Sequence, residues 1–206
     1  KNGKSTVPTS PQEINIMLLF RPPVFHPTVM IRHSILQNNN LQYDPSFVTA
    51  QDYDLWVRLS KFTDIANLPQ FLLCYRISEQ QITAQKREAQ LTATFRIYTH
   101  LLQQFLIAPT YEELQIHLAT AWHNVKKSET RLADVDAWLN KLITANQQYN
   151  IYPQQPFAKY LADLWYLACR EHRGGLATWR QFVSTPLSQF VTKDKWFKLL
   201  AHVLFP

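Results

Sequence analysis

Two carboxylates two positions apart, Asp52 and Asp54, stand directly ahead of an apolar face in the stretch Gln51-Asp52-Tyr53-Asp54-Leu55-Trp56-Val57-Arg58-Leu59. Thr49 precedes Asp52 by three positions, the Ser/Thr-x-x-acid pattern that opens a helix with a capping box. The spacing predicts a helix from about Asp52 to Phe62 with Asp52 in its first turn. Backbone N–H groups and the positive end of the helix dipole favour an ionised carboxylate there, and such a carboxylate can accept a proton from a bound hydroxyl. The same dipole makes it a weaker base, and an acid in this pattern more commonly does no more than cap its helix.

Other chemistries find little support. The 206 residues include only 3 Gly, two of them adjacent at Gly174-Gly175, so there is no Gly-rich loop to cradle phosphates. The 7 His show no metal-ligand spacing and no Ser/His/Asp set. Cys74 and Cys169 lie in apolar settings without paired spacing, which predicts buried free thiols and a reducing compartment. The net charge of +6 is spread evenly, 10 basic against 7 acidic residues before Pro109 and 11 against 8 from it onward. Basic residues do not cluster beside exposed aromatics, so nucleic acid is not an expected partner.

The elements that must position Asp52 follow from local patterns. Ser10-Pro11-Gln12-Glu13 is a helix start whose helix buries Ile14, Met17, Leu18 and Phe20 and ends before Pro22-Pro23. Thr28 to Arg32, Ile65 to Leu68 and Phe71 to Arg76 read as short strands, and Ser34 to Asn40 as a short helix closed by an Asn-rich turn. Beyond Thr83 the strand pattern gives way to helical spacing: Ala84 to Ile107, a new start at Thr110-Tyr111-Glu112-Glu113, Ser128 to Asn146 and Pro156 to His172. Trp138, Trp165 and Trp179 lie at helical spacing among other apolar residues and read as core. Val191 to Phe205 is a basic amphipathic helix, expected to dock on the bundle, with an anionic membrane surface as the second option. No apolar run approaches the ~20 residues that span a bilayer.

The segments His26-Pro27-Thr28-Val29-Met30-Ile31-Arg32, Leu41-Gln42-Tyr43-Asp44-Pro45-Ser46-Phe47, Gln51 to Leu59, Ala66-Asn67-Leu68-Pro69 and Tyr75-Arg76-Ile77-Ser78 resemble, in order and spacing, the second half of a family 2 glycosyltransferase domain. The resemblance covers about the first third of the chain. It implies a GT-A fold, with Asp52 as the base that deprotonates the acceptor hydroxyl and His26, Arg32, Gln51, Asp54, Trp56, Arg58 and Arg76 around the substrates. It also implies a nucleotide-sugar donor, a glycan or lipid-linked acceptor, and a divalent cation, Mg or Mn, held by an earlier Asp-x-Asp.

Two departures stand out. Gln51 occupies the first place of the family's acidic pair, which leaves the proposed base intact. Ser78 replaces the His that ends the family's Tyr-Arg-x-His, and a hydroxyl is a poor ligand for a transition metal, though Mg2+ is held mostly by oxygen. Glu13 is the only acid before Asp44, so the cation ligands and the donor-binding half are not in this chain. Asp52-Tyr53-Asp54 and Asp134-Val135-Asp136 spell Asp-x-Asp, but both fall in helical patterns. The chain begins at Lys1 rather than Met, as a fragment or processed chain would, and alone it is expected to bind nucleotide sugar poorly and to be inactive.

The fold expected is α+β and predominantly helical: residues 1–83 form the C-terminal part of a GT-A glycosyltransferase domain with a few short strands, and residues 84–206 a helical bundle. The function expected is an inverting glycosyltransferase, cytoplasmic or at the inner face of the membrane, with peripheral contact through residues 191–205. The competing expectation is a non-catalytic helical interaction module that carries a transferase remnant.

Overall fold

The computed structural model describes residues 7–74, 87–172 and 174–204. The chain divides into two compact units, Lys1–Leu101 and Leu102–Pro206.

In the first unit, α1 (Pro11–Leu18) starts as its sequence requires. Pro11 supplies the fixed φ of the first helical position, and the Ser10 hydroxyl accepts the Glu13 N–H. Ile14, Ile16, Met17 and Leu18 are buried, and burial continues through Leu19 and Phe20 before the prolines. A 3-10 turn (His26–Thr28) and α2 (His33–Asn38) follow, the latter closed by Asn40 in the left-handed region at φ 49°. Helix α3 (Gln51–Leu59) buries Tyr53, Leu55, Trp56, Val57 and Leu59. Helix α4 (Arg87–Gln103) adds Phe95, Ile97, Tyr98 and Leu101.

Two phenols join these helices. Tyr53 on α3 donates to the Leu18 carbonyl at 2.7 Å, and Tyr98 on α4 donates to the Phe20 carbonyl. Leu18 is the last residue of α1 and Phe20 lies two positions beyond it. The two rings meet edge to face at 6.3 Å. The floor on which α3 stands is therefore tied by polar bonds as well as apolar contact.

The α+β expectation does not hold. No strand occurs among the described residues. Thr28 closes the 3-10 turn, and residues 29–32, 64–68 and 71–74 have no regular structure; Tyr75 and Arg76 lie outside the described residues. A strand exists only through its ladder to a neighbour, and none of these segments has a paired extended neighbour. Residues 64–74 are instead tied down by the Asn67 amide, which donates to the carbonyls of Pro8 and Pro23 at 2.8 and 3.0 Å. Leu68, Phe71, Leu72 and Leu73 remain exposed. Cys74 is exposed too, against the expectation of a buried thiol, whereas Cys169 is buried and its thiol is pushed up by that burial and then by the charge of Asp136.

The second unit is a helical bundle of α5 (Tyr111–Ala121), α6 (Leu132–Tyr149), α7 (Gln154–His172), α8 (Gly175–Ser184), a 3-10 turn (Pro186–Phe190) and α9 (Lys193–Leu204). Helix α7 touches every other element of the unit. Its buried set, from Phe157 and Leu161 through Leu164, Trp165, Tyr166 and Ala168, goes most of the way round the helix, the pattern of an interior element. The Thr110–Glu113 capping box forms, with the hydroxyl on the Glu113 N–H and the carboxylate on the Thr110 N–H. Trp138 and Trp165 are core. Trp179 is half-buried and packs with Phe182 and Trp196.

Helix α9 buries Leu199 and Val203. Lys195 pairs with Asp163 of α7 and Lys198 with Asp194 one turn back. Among the described residues, no helix is long and apolar enough to cross a membrane.

Candidate functional site

The start of α3 differs from its predicted form in one respect. The N-cap is Ala50, not Thr49, and Ala50 takes the left-handed conformation at φ 57° with no side chain capping the helix. Thr49 is 3% exposed, and its hydroxyl has no hydrogen-bond partner among the described residues. Asp52 is in the first turn as expected, half-buried, with one carboxylate oxygen accepting the N–H of Tyr53 at 2.9 Å. It takes part in no ion pair among the described residues.

Asp54 is in a different state. Arg58, one turn on, donates to Asp54 Oδ2 from Nε at 2.9 Å and from Nη2 at 2.7 Å, and Nη2 also reaches the Gln42 carbonyl at 2.7 Å. The i,i+4 spacing of acid before base makes this pair natural on a helix. Of the two carboxylates, Asp54 is paired with Arg58, and Asp52 has no ion-pair partner among the described residues. Arg58, in turn, is committed to Asp54 and Gln42 rather than turned toward an anion.

Aromatic side chains from outside α3 complete the surroundings. His26, on the 3-10 turn, has Nε2 2.9 Å from the Tyr43 hydroxyl, and the two rings meet edge to face at 6.0 Å. The His26 ring lies 6.4 Å from that of Trp56. Trp56 is 1% exposed, so it serves as backing for His26, and its indole N–H has no hydrogen-bond partner among the described residues. Partial burial holds the Tyr43 phenol above its ordinary range, with the negative charge of Asp52 as the second cause.

His26 thus meets both Tyr43 and Trp56, and Trp56 shares α3 with Asp52 and with the paired Asp54 and Arg58. Gln51 is the half-buried first residue of α3. Arg32 is exposed at the start of α2 and, among the described residues, makes no hydrogen bond or ion pair with this group. Arg76 lies outside the described residues. Tyr43 is the member that the sequence-based set omits. In the sequence it lies within the Leu41–Phe47 segment of the resemblance, just before Asp44-Pro45, but its partner His26 is 17 residues away and the pairing is tertiary.

The loop that carries Tyr43 is itself braced. Asp44 accepts the Ser46 N–H at 2.8 Å, and Arg96 of α4 donates to the Ser46 hydroxyl at 2.8 Å while its guanidinium lies 4.2 Å from the centre of the Phe47 ring. Hydrogen bonds from the Ser46 hydroxyl and N–H, followed by the charges of Arg96 and Arg58, hold the Asp44 carboxyl below the usual range.

Among the described residues, no group of three or more His, Cys, Asp or Glu is placed to hold a metal ion. They do not fit the divalent cation that the resemblance implies. A separate open cleft of about 430 Å³ lies between the start of α1 and residues 60–65, lined by Ser10, Gln12, Asn15, Thr63 and Asp64 among others. It contains none of the site residues named above.

Comparison with known proteins yields one informative likeness. The chain is similar to a protein of Haemophilus influenzae named as an uncharacterized glycosyltransferase, 27% identical over 67 residues, which is 32% of this chain and 21% of that protein. The chain thus spans about a fifth of the length of the curated relative it matches. No family model matches the chain, and no solved structure matches it.

Proposed function

We propose that this chain is the acceptor-side part of a family 2 glycosyltransferase and that Asp52 is its general base. The observation that carries the reading is the difference between the two acids at the start of α3: Arg58 holds Asp54 through two hydrogen bonds, whereas Asp52, in the first turn, is half-buried and has no ion-pair partner among the described residues. The partial likeness to a protein named as a glycosyltransferase supports the same class.

In this reading an acceptor hydroxyl lies against Asp52 and transfers its proton to the carboxylate as its oxygen attacks the anomeric carbon of a nucleotide sugar. The new C–O bond forms as the bond to the nucleotide's phosphate oxygen breaks. The nucleotide leaves with that electron pair, and the configuration at the anomeric carbon inverts. General-base help of this kind contributes on the order of 10²- to 10⁴-fold. Donor-binding residues, and ligands for the divalent cation of the intact enzyme, belong in this reading to polypeptide outside these residues.

The acceptor is a glycan or a lipid-linked glycan, and the setting is the cytoplasm or the inner face of the membrane. Membrane contact through residues 191–205 is a separate proposal; Lys195 and Lys198 of that helix pair with Asp163 and Asp194. Deleting residues 191–206 should abolish liposome binding if that contact exists.

The decisive test is Asp52→Asn in the intact enzyme, assayed by release of nucleotide from a panel of nucleotide sugars in the presence of acceptor. Transfer should fall by at least ~100-fold with melting temperature little changed. Normal turnover by the variant would sink the assignment of Asp52.

A further inference from the structure

The Tyr43 loop carries a second conclusion, one that rests on the reading of Asp52 as the base and extends it. Tyr43 is 47% exposed, so its ring is open to a ligand, yet its hydroxyl is held at 2.9 Å by His26. An exposed phenol is ordinarily free to rotate about two torsions. Here one end is held by His26 and the other by a loop that a distant helix clamps.

Arg96 provides the clamp. Its Nη1 donates to Ser46 Oγ at 2.8 Å, its Nη2 lies 3.7 Å from Asp44 Oδ2, and its guanidinium plane covers the Phe47 ring at 4.2 Å. Phe47 is 8% exposed, and the Phe47 N–H donates to the Asp44 carbonyl at 3.1 Å, which closes the turn. One planar group thus holds three of the four residues that follow Tyr43, a geometry that Lys cannot reproduce. Arg96 comes from a helix fifty positions further along the chain than Ser46.

The charge balance says what kind of ligand fits. Arg58 is committed to Asp54 and Gln42, and Arg96 to Ser46, Asp44 and Phe47. Asp52, on the helix whose Trp56 backs His26, is left without an ion pair among the described residues. Such a surface repels an anionic group and suits the hydroxyls and C–H faces of an uncharged saccharide.

We infer that Tyr43 is a further acceptor-contacting residue, that Arg96 is its positioning residue acting through the 44–47 turn, and that the acceptor group bound there is an uncharged saccharide. The Tyr43 hydroxyl shares the acceptor's hydroxyl network with Asp52, and its ring stacks on a sugar face. Arg96 never touches the ligand.

The test is NMR of the purified chain with labelled His and Tyr, titrated with methyl glycosides of glucose, galactose and N-acetylglucosamine, and with glucose 6-phosphate as the anionic counterpart. The Tyr43 and His26 signals should move with at least one neutral glycoside, and glucose 6-phosphate should bind no better than methyl glucoside. Tyr43→Phe should weaken the responding glycoside about five- to tenfold, the worth of one hydrogen bond. Arg96→Met should shift the His26 signals toward those of Tyr43→Phe while leaving the Tyr53 and Tyr98 rings in place; Arg96→Lys should restore this in part at most.

A role for Arg96 in stability alone would lower the melting temperature and leave the Tyr43–His26 signature intact, which would overturn the positioning role. If glycosides move the His26 signals but Tyr43→Phe binds them unchanged, Tyr43 is not a contact, although the site stands. Tighter binding of glucose 6-phosphate overturns the uncharged class. If no sugar moves any signal of Tyr43 or His26, both this inference and the acceptor-site reading fall.

Discussion

Arg58 closes on Asp54 through two hydrogen bonds to the same carboxylate oxygen, at 2.9 and 2.7 Å, within one turn of α3. Both side chains are largely covered, at 28% and 15% exposure, so the pair is shielded from solvent more than a surface ion pair is. Asp54→Asn would leave the guanidinium with only the Gln42 carbonyl. We expect a loss of about 1–2 kcal/mol in urea unfolding, against little loss for Asp52→Asn. Equal stability costs for the two substitutions would mean that the two carboxylates are not in different states.

The start of α3 offers a prediction whose sign separates two structures. Thr49 is buried with a hydroxyl that meets no partner among the described residues, and the helix is capped from Ala50 without side-chain help. Thr49→Val removes a buried polar atom at nearly constant shape, and should be neutral or stabilising by up to ~1 kcal/mol in thermal unfolding. Were Thr49 the capping residue that its spacing suggests, the same change would cost ~1 kcal/mol.

A pH dependence follows from Asp44. Its carboxyl is held below the usual range by the Ser46 hydroxyl and N–H first, and by Arg96 and Arg58 after them. A carboxylate depressed in the folded state contributes stability that is present above its unfolded pKa and lost as pH falls through its folded one. The 44–47 turn should therefore survive acidification to pH 4, near the ordinary Asp value, and loosen only below it. Followed by the Asp44 carboxyl carbon in NMR, the midpoint should move up in Ser46→Ala. An unchanged midpoint would remove Ser46 as the cause.

In the second unit, Asn146 is a buried polar hub. Its amide oxygen accepts the Tyr152 N–H at 2.8 Å, its amide nitrogen donates to the Tyr152 carbonyl at 3.0 Å, and the Gln154 amide returns to the Asn146 carbonyl at 2.9 Å. The bonds fold the chain back from α6 into α7 through Asn150 in the left-handed region. Asn146→Ala strands two backbone groups of a 5% exposed residue, and should cost about 2–4 kcal/mol by denaturant unfolding. Asn146→Asp keeps the acceptor and loses the donor, so its cost should fall between.

Much of this protein was decided locally. The helix starts at Ser10-Pro11 and Thr110-Glu113, the place of Asp52 in the first turn of α3, and the apolar faces of α6 and α7 are consequences of residues three or four apart, which any reader of the chain can pair. The three short strands were not decided that way. Apolar and β-branched residues at 28–32, 65–68 and 71–76 satisfy a local preference, but a strand also needs a neighbour, and residues 29–32, 64–68 and 71–74 carry no ladder.

The site divides along the same line. Asp52, Asp54 and Arg58 share one helix, so their types and spacing could be read directly. The pairing of Asp54 with Arg58 follows from their i,i+4 spacing. What the tertiary structure alone decided is that Thr49 does not cap and that Tyr43 joins His26 under a clamp from Arg96, because the partners of that clamp lie 17 and 50 residues apart and only the packed chain brings them together.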